Sequence, residues 1–198
     1  MYKRQGFDWS SDPGRETKAD RARIILLAQG ILFAKQGERV GLISGSRPPS
    51  LGKSAPDRMA EDLLRGTAEQ LEPPRAQALA VIASDFYDGA EAWRQRLAPL
   101  AQTCRHGVLF AVSDPIEHEF PYTGRTRFSR PGSTLDRLFG RAESVRDTYL
   151  EKLAAHETAL TELAANMGWA LVQHRTDQSA LRGAAAVQAA LEQFGGKA

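Results

Sequence analysis

Leu79-Ala80-Val81-Ile82-Ala83-Ser84-Asp85-Phe86-Tyr87-Asp88-Gly89 is the stretch on which the reading of this chain turns. Its first five residues are apolar, and a short run of that kind bounded by turn residues reads as a strand buried on both faces, as in a parallel sheet. The strand ends in Ser84-Asp85, and Asp88-Gly89 then turns the chain into a helix. Open α/β sheets place their ligands at the carboxyl ends of such strands, which makes Asp85 a candidate site residue. The alternative is a cap: an aspartate there can simply accept backbone N–H groups of the following helix.

On either side of this strand, helical and strand patterns alternate. Thr17 opens a helix, with Asp20 three residues on as its capping-box partner, and Ile24, Ile25, Leu27, Ala28, Ile31 and Leu32 recur at helical spacing. Gly37 closes that helix, and residues 39–44 read as a short strand. A second helix spans about Pro56 to Gln70, with Met59, Leu63 and Leu64 inward. Beyond the pivotal strand come a helix over Ala90 to Cys104, a strand over Val108 to Val112, and a stretch over 114–142 without clear periodicity. Within it, 126–128 and 133–135 are expected to pair as a hairpin. A long helix from Ser144 to Met167, a strand over Trp169 to Gln173 and a last helix over Gln178 to Phe194 follow. This order predicts an α/β fold, a doubly wound, mostly parallel sheet with helices on both faces.

Residues 17–198 form the domain in this reading, and 1–16 are an irregular segment broken by Gly6, Pro13 and Gly14. A doubly wound domain ordinarily begins with a strand that becomes central, and that first central strand is not found here. The expectation is a C-terminal portion of a longer protein that exposes strand edges and aggregates when alone.

The chain has 198 residues, 42% of them hydrophobic and 25% charged, with a formal charge of +2. Those values suit a globular protein and do not point to nucleic acid. Cys104 is the single cysteine, so an intrachain disulfide is excluded. No apolar run approaches the roughly 18 residues of a spanning helix. No apolar core follows Met1-Tyr2-Lys3-Arg4-Gln5, so no signal peptide is read there. The expected location is cytoplasmic, with no membrane partner.

Gly52-Lys53-Ser54 stands where a phosphate-binding loop would put its lysine and serine, but Arg47 occupies the first-glycine position, and Pro48 and Pro49 remove two N–H donors. His106, His118, His156 and His174 lack metal-ligand spacing, and no nucleophile-elbow pattern is present. The acidic residues are more informative. Asp85 and Asp88 follow one strand, while Asp114 and Glu117 follow another. If those strands are parallel neighbours, Ser84, Asp85, Asp114 and Glu117 converge at one sheet edge, a set suited to a hard cation such as Mg²⁺. Capping a helix or ordering its own loop is the preferred role for Asp88, but not for Asp85 or Asp114.

Several segments in this order are similar to the bacterial domain-of-unknown-function 58 family: Lys18-Ala19-Asp20-Arg21-Ala22, Gly37-Glu38-Arg39-Val40-Gly41-Leu42, Ser84-Asp85-Phe86 and Asp114-Pro115-x-Glu117. Gly140-Arg141-Ala142-Glu143-Ser144, Arg146-Asp147-x-Tyr149, Gly168-Trp169 and His174-Arg175-Thr176-Asp177 extend the resemblance to nearly the whole chain. It implies a von Willebrand factor A-like, Rossmann-like fold and a metal-ion-dependent adhesion site. In that site, Asp85 matches the aspartate after a later strand. It also implies a non-enzymatic protein-interaction domain acting with a MoxR-type AAA+ ATPase in the assembly or maturation of other proteins. The family's Asp-x-Ser-x-Ser loop has no full counterpart: Asp8-Trp9-Ser10-Ser11-Asp12 ends in aspartate and reads as a linker, and Thr67 is the candidate threonine. Metal binding at an incomplete site is therefore what the resemblance implies. The alternatives are a Mg²⁺-dependent phosphotransfer or nuclease enzyme using Asp85 and Asp114, a P-loop-like nucleotide hydrolase using Lys53, and a purely structural domain.

Overall fold

A computed structural model describes residues 7–43, 47–66, 71, 73–74, 77–129 and 136–195, with side chains 129, 136–139 and 194–195 outside the description. Three strands, β1 (Leu79–Ser84), β2 (His106–Ser113) and β5 (Ala170–Arg175), form a parallel sheet in the order β1-β2-β5. Between them lie α3 (Ala90–Thr103), α4 (Pro115–Glu119) and α5 (Arg146–Asn166). Helices α1 (Lys18–Lys35) and α2 (Ala55–Arg65) precede the sheet, and α6 (Ala180–Gly195) follows it.

The period of two in β2 sorts its side chains onto two faces. Leu109 packs with Ile82, Leu97, Leu100, Leu160 and Trp169 in one core. Val108, Phe110 and Val112 pack with Ala22, Ile25, Val187 and Leu191 in the other. Residues of α3 and α5 therefore cover one face, and residues of α1 and α6 the other, which is the doubly wound plan. Pro99 lies inside α3 without ending it.

Four expectations are corrected. Over 39–43 the chain forms no strand of the sheet: Val40 makes a single antiparallel bridge to Ser50, a contact too local to extend. The hairpin pairs β3 (Thr126–Ser129) with β4 (Asp136–Phe139) rather than with 133–135, which lie outside the described residues. In α1 the inward face is also rotated from the one its aliphatic residues suggest. Lys18, Ala19, Arg21, Ala22, Ile25, Gln29 and Gly30 are buried, whereas Ile24, Ile31 and Leu32 are each more than a third exposed. Long-range partners select that face: the Gln29 side-chain amide donates to the Ala184 carbonyl at 2.8 Å, and Gly30 lies against the Met59 thioether. In α2 likewise, Met59 and Leu63 are buried and Leu64 is exposed. No described helix is long and apolar enough to cross a membrane.

Candidate functional site

Parallel pairing of β1 with β2, ending at Ser84↔Ala111, brings the residues that follow both strands to one edge. Ser84 and Phe86 shape the first of these exits. The Phe86 N–H donates to Ser84 Oγ at 3.2 Å, and Phe86 takes a left-handed φ of +57°. A bulky residue pays strain there, and only firm surroundings hold it. Here Phe86 is fully buried and packs edge-on against Trp93, with centroids 4.8 Å apart. This turn directs Asp85 back toward the start of α1, and the Tyr87 N–H donates to Asp85 Oδ1 at 3.3 Å.

The second exit is capped. Asp114 closes a capping box on α4, accepting the Ile116 N–H at 3.1 Å while its own N–H donates to Glu117 Oε2 at 2.8 Å. Ser11 comes from the irregular segment onto the same carboxylate, its hydroxyl donating to Oδ1 at 2.5 Å and its N–H to Oδ2 at 3.0 Å. Burial works to raise the Asp114 carboxyl, but the Ser11 and Ile116 donors outweigh it and hold the pKa below its ordinary value. Asp114 is fully buried, and capping is thus one of its roles, contrary to the preference stated from sequence.

Between the exits stands a residue that sequence reading did not assign to the site, Lys18. Its ammonium donates to Glu117 Oε1 at 2.7 Å and to Asp85 Oδ2 at 3.4 Å, and lies 5.2 Å from the Tyr87 ring centroid. Lys18 is 1% exposed and Asp85 7%. The available signal was its register: counting back from Ile25 by seven puts Lys18 on the inward stripe of α1. The Tyr87 phenol is pushed up, by burial first and then by Glu117 and Asp85, and Tyr149, also beside Glu117, is pushed up to about 12. Both therefore stay protonated at neutral pH. The other acid after β1, Asp88, pairs with Arg96 of α3 at 2.7 Å; the N-cap of α3 is Gly89, without a side-chain cap, so the helix cap considered for Asp88 is not formed.

Mg²⁺ demands near-octahedral oxygen ligation. Among the described residues no group of three or more His, Cys, Asp or Glu side chains is placed to hold a metal ion. The two carboxylates that face one another already share the Lys18 ammonium, and a divalent cation between them would meet a like charge. The residues present do not fit the metal while Lys18 stays in place. Thr67 lies outside the described residues.

Elsewhere, Arg47 holds the loop before α2 through both oxygens of buried Asp62, Nε at 3.0 and 3.2 Å and Nη2 at 2.7 Å, and through Glu61 at 3.0 Å. The first-glycine position is thus filled by a side chain tied to the helix. No ATP or GTP binding is expected at this loop; a labelled nucleotide bound at micromolar affinity and released by Lys53→Ala would overturn that. The buried Cys104 thiol is pushed up by burial, which makes it a poor nucleophile.

A family model described as "Protein of unknown function DUF58" matches residues 8–159. No curated protein and no solved structure matches the chain.

Proposed function

Because the chain belongs to the DUF58 family, we propose that it is a von Willebrand factor A-like protein-interaction domain, non-enzymatic, that acts with a MoxR-type AAA+ ATPase in assembling or maturing other proteins. One observation carries the reading: residues following β1 and β2 and the segment 8–11 meet at the carboxyl edge of the sheet. The acids there are engaged in holding structure. Asp85 and Glu117 hold Lys18, and Asp114 holds Ser11 and the start of α4. A general acid or base needs a carboxyl poised toward a substrate. Carboxylates bridged by a buried ammonium instead suit a rigid recognition face. Trp9 and Tyr87, 37% and 40% exposed, flank that edge, and rings of this kind often anchor protein partners.

The test is a binding titration between the chain and a MoxR-type AAA+ ATPase from the same genome. Binding is expected, and Trp9→Ala should weaken it roughly tenfold, about 1.4 kcal/mol, with an unchanged melting temperature. Absence of binding would sink the proposal. Magnesium-dependent cleavage of a phosphoester, lost in Asp85→Asn, would put the enzyme reading in its place.

A further inference from the structure

We infer that Lys18 is a tethered cation that takes the place of a divalent metal at the carboxyl edge, so that this edge works without metal. Four observations converge on it. First, the ammonium is buried and sits between two carboxylates from different strand exits, 2.7 Å from Glu117 and 3.4 Å from Asp85. A cation is the one species those two acids need when both are withdrawn from water. Second, the Tyr87 ring supplies a π face at 5.2 Å, so the ammonium meets an attractive group on a third side.

Third, Lys18 is the first residue of α1, at the positive end of the helix dipole, where a cation is electrostatically disfavoured. Its placement there follows from the acids and not from the helix. Fourth, the backbone fixes the lysine's origin. The Lys18 N–H donates to the Trp9 carbonyl at 3.3 Å, the Ala19 N–H to the Phe7 carbonyl at 2.9 Å, and the Thr17 hydroxyl accepts the Asp20 N–H at 3.1 Å. A tethered ammonium held this way has an effective concentration that free Mg²⁺ cannot match, and although its own burial costs desolvation, it sheds its water once, on folding, where Mg²⁺ would have to give up a more tightly held shell.

The consequence for the site is regulatory. A metal-dependent recognition face loses its partner when the metal is chelated, whereas this face keeps its charge arrangement in any divalent-cation concentration. The inference takes its biological meaning from the proposed interaction role. Its test uses the chain alone, so it can stand or fall separately from partner binding.

Melting curves of the wild-type chain in EDTA and in about 10 mM Mg²⁺, Mn²⁺ or Ca²⁺ should superpose within about 1 °C, since only a ligand that binds the folded state shifts the midpoint. A saturable rise of several degrees that disappears in Asp85→Asn would overturn the inference. Lys18→Met should lower the midpoint by roughly 10 °C, because it strands two buried carboxylates. Adding Asp85→Asn and Glu117→Gln to Lys18→Met should restore at least half of that loss, even if the single variant fails to fold. A triple variant no more stable than Lys18→Met would mean that Lys18 acts through packing, and would overturn the assignment of a cation's role.

Discussion

Gly107→Ala is expected to lower stability by about 3 kcal/mol, within the range seen when a large buried aromatic loses its seat. Gly107 lies in β2, paired with Ala80 of β1, and a methyl group there would come within 2.3–2.5 Å of three atoms of the Trp169 ring. No real Cβ contact is that short, so the indole has to leave the position it holds in the α3/α5 core, where it is 5% exposed. The strand cannot yield instead, because its backbone is locked in register. Thermal melting should show a midpoint lower by roughly 6–12 °C for a domain of this size. Gly30→Ala is the matched control. Its methyl would meet only the Met59 thioether, the flexible end of a side chain, and alanine is the better helix former. A near-zero change is expected there. If Gly107→Ala melts like the wild type, Trp169 does not pack against this strand as described.

The second large effect is acid destabilisation through His174. This imidazole is 3% exposed, and its Nε2 lies 2.8 Å from the Arg21 guanidinium. Arg21 has only donors to offer, so Nε2 must accept, and the ring is neutral. The same guanidinium also binds the carbonyls of Gln178 and Thr176 and the Glu16 carboxylate, which fixes it in place. Burial first, then Arg21, pushes the imidazolium down to about 4 from 6.5; Asp177 opposes this and Arg182 assists.

A histidine with a depressed folded-state pKa contributes stability that is complete above about pH 6.5. It is lost as the pH falls toward 4, because over that window the unfolded chain binds the extra proton. The shift sets an upper bound of about 3 kcal/mol. Denaturant titrations at a series of pH values should therefore show stability falling between pH 6.5 and 4, ahead of the carboxylates. Asp114 and Asp177, both depressed, add their losses at lower pH. In His174→Gln, whose amide oxygen can still accept from Arg21, the decline over pH 6.5–4 should largely vanish. An equally steep decline in that variant would refute the assignment.

The run 79–84 announced a parallel strand because continuous apolar character between turn residues suits a covered sheet, although β1 stands at the edge of the described sheet, with alternate residues only partly buried and Leu79 41% exposed. The α/β alternation, the limits of most helices and the convergence of residues following two strands were legible for the same reason: they depend on local periodicity and on the rule that parallel strands share an edge. Thr17 as a cap was readable too, since capping is chemistry between residues three apart.

Other features belonged to tertiary structure alone. The buried face of α1 carries Lys18, Arg21 and Gln29 and leaves Ile24, Ile31 and Leu32 partly exposed, the reverse of what hydrophobicity would select. Those polar residues are buried because their partners, Glu117, His174 and the Ala184 carbonyl, arrive from 99 to 155 residues away. Register with Ile25 could put Lys18 on an inward stripe, but no local pattern names the partners that keep these polar side chains buried there. The role of Asp85 was open for the same reason: a carboxylate after a strand can bind a metal, cap a helix or hold a lysine. What decides among them is the group that the rest of the fold delivers to within about 3 Å, where charge pairing in a dry site outweighs any preference of the residue itself.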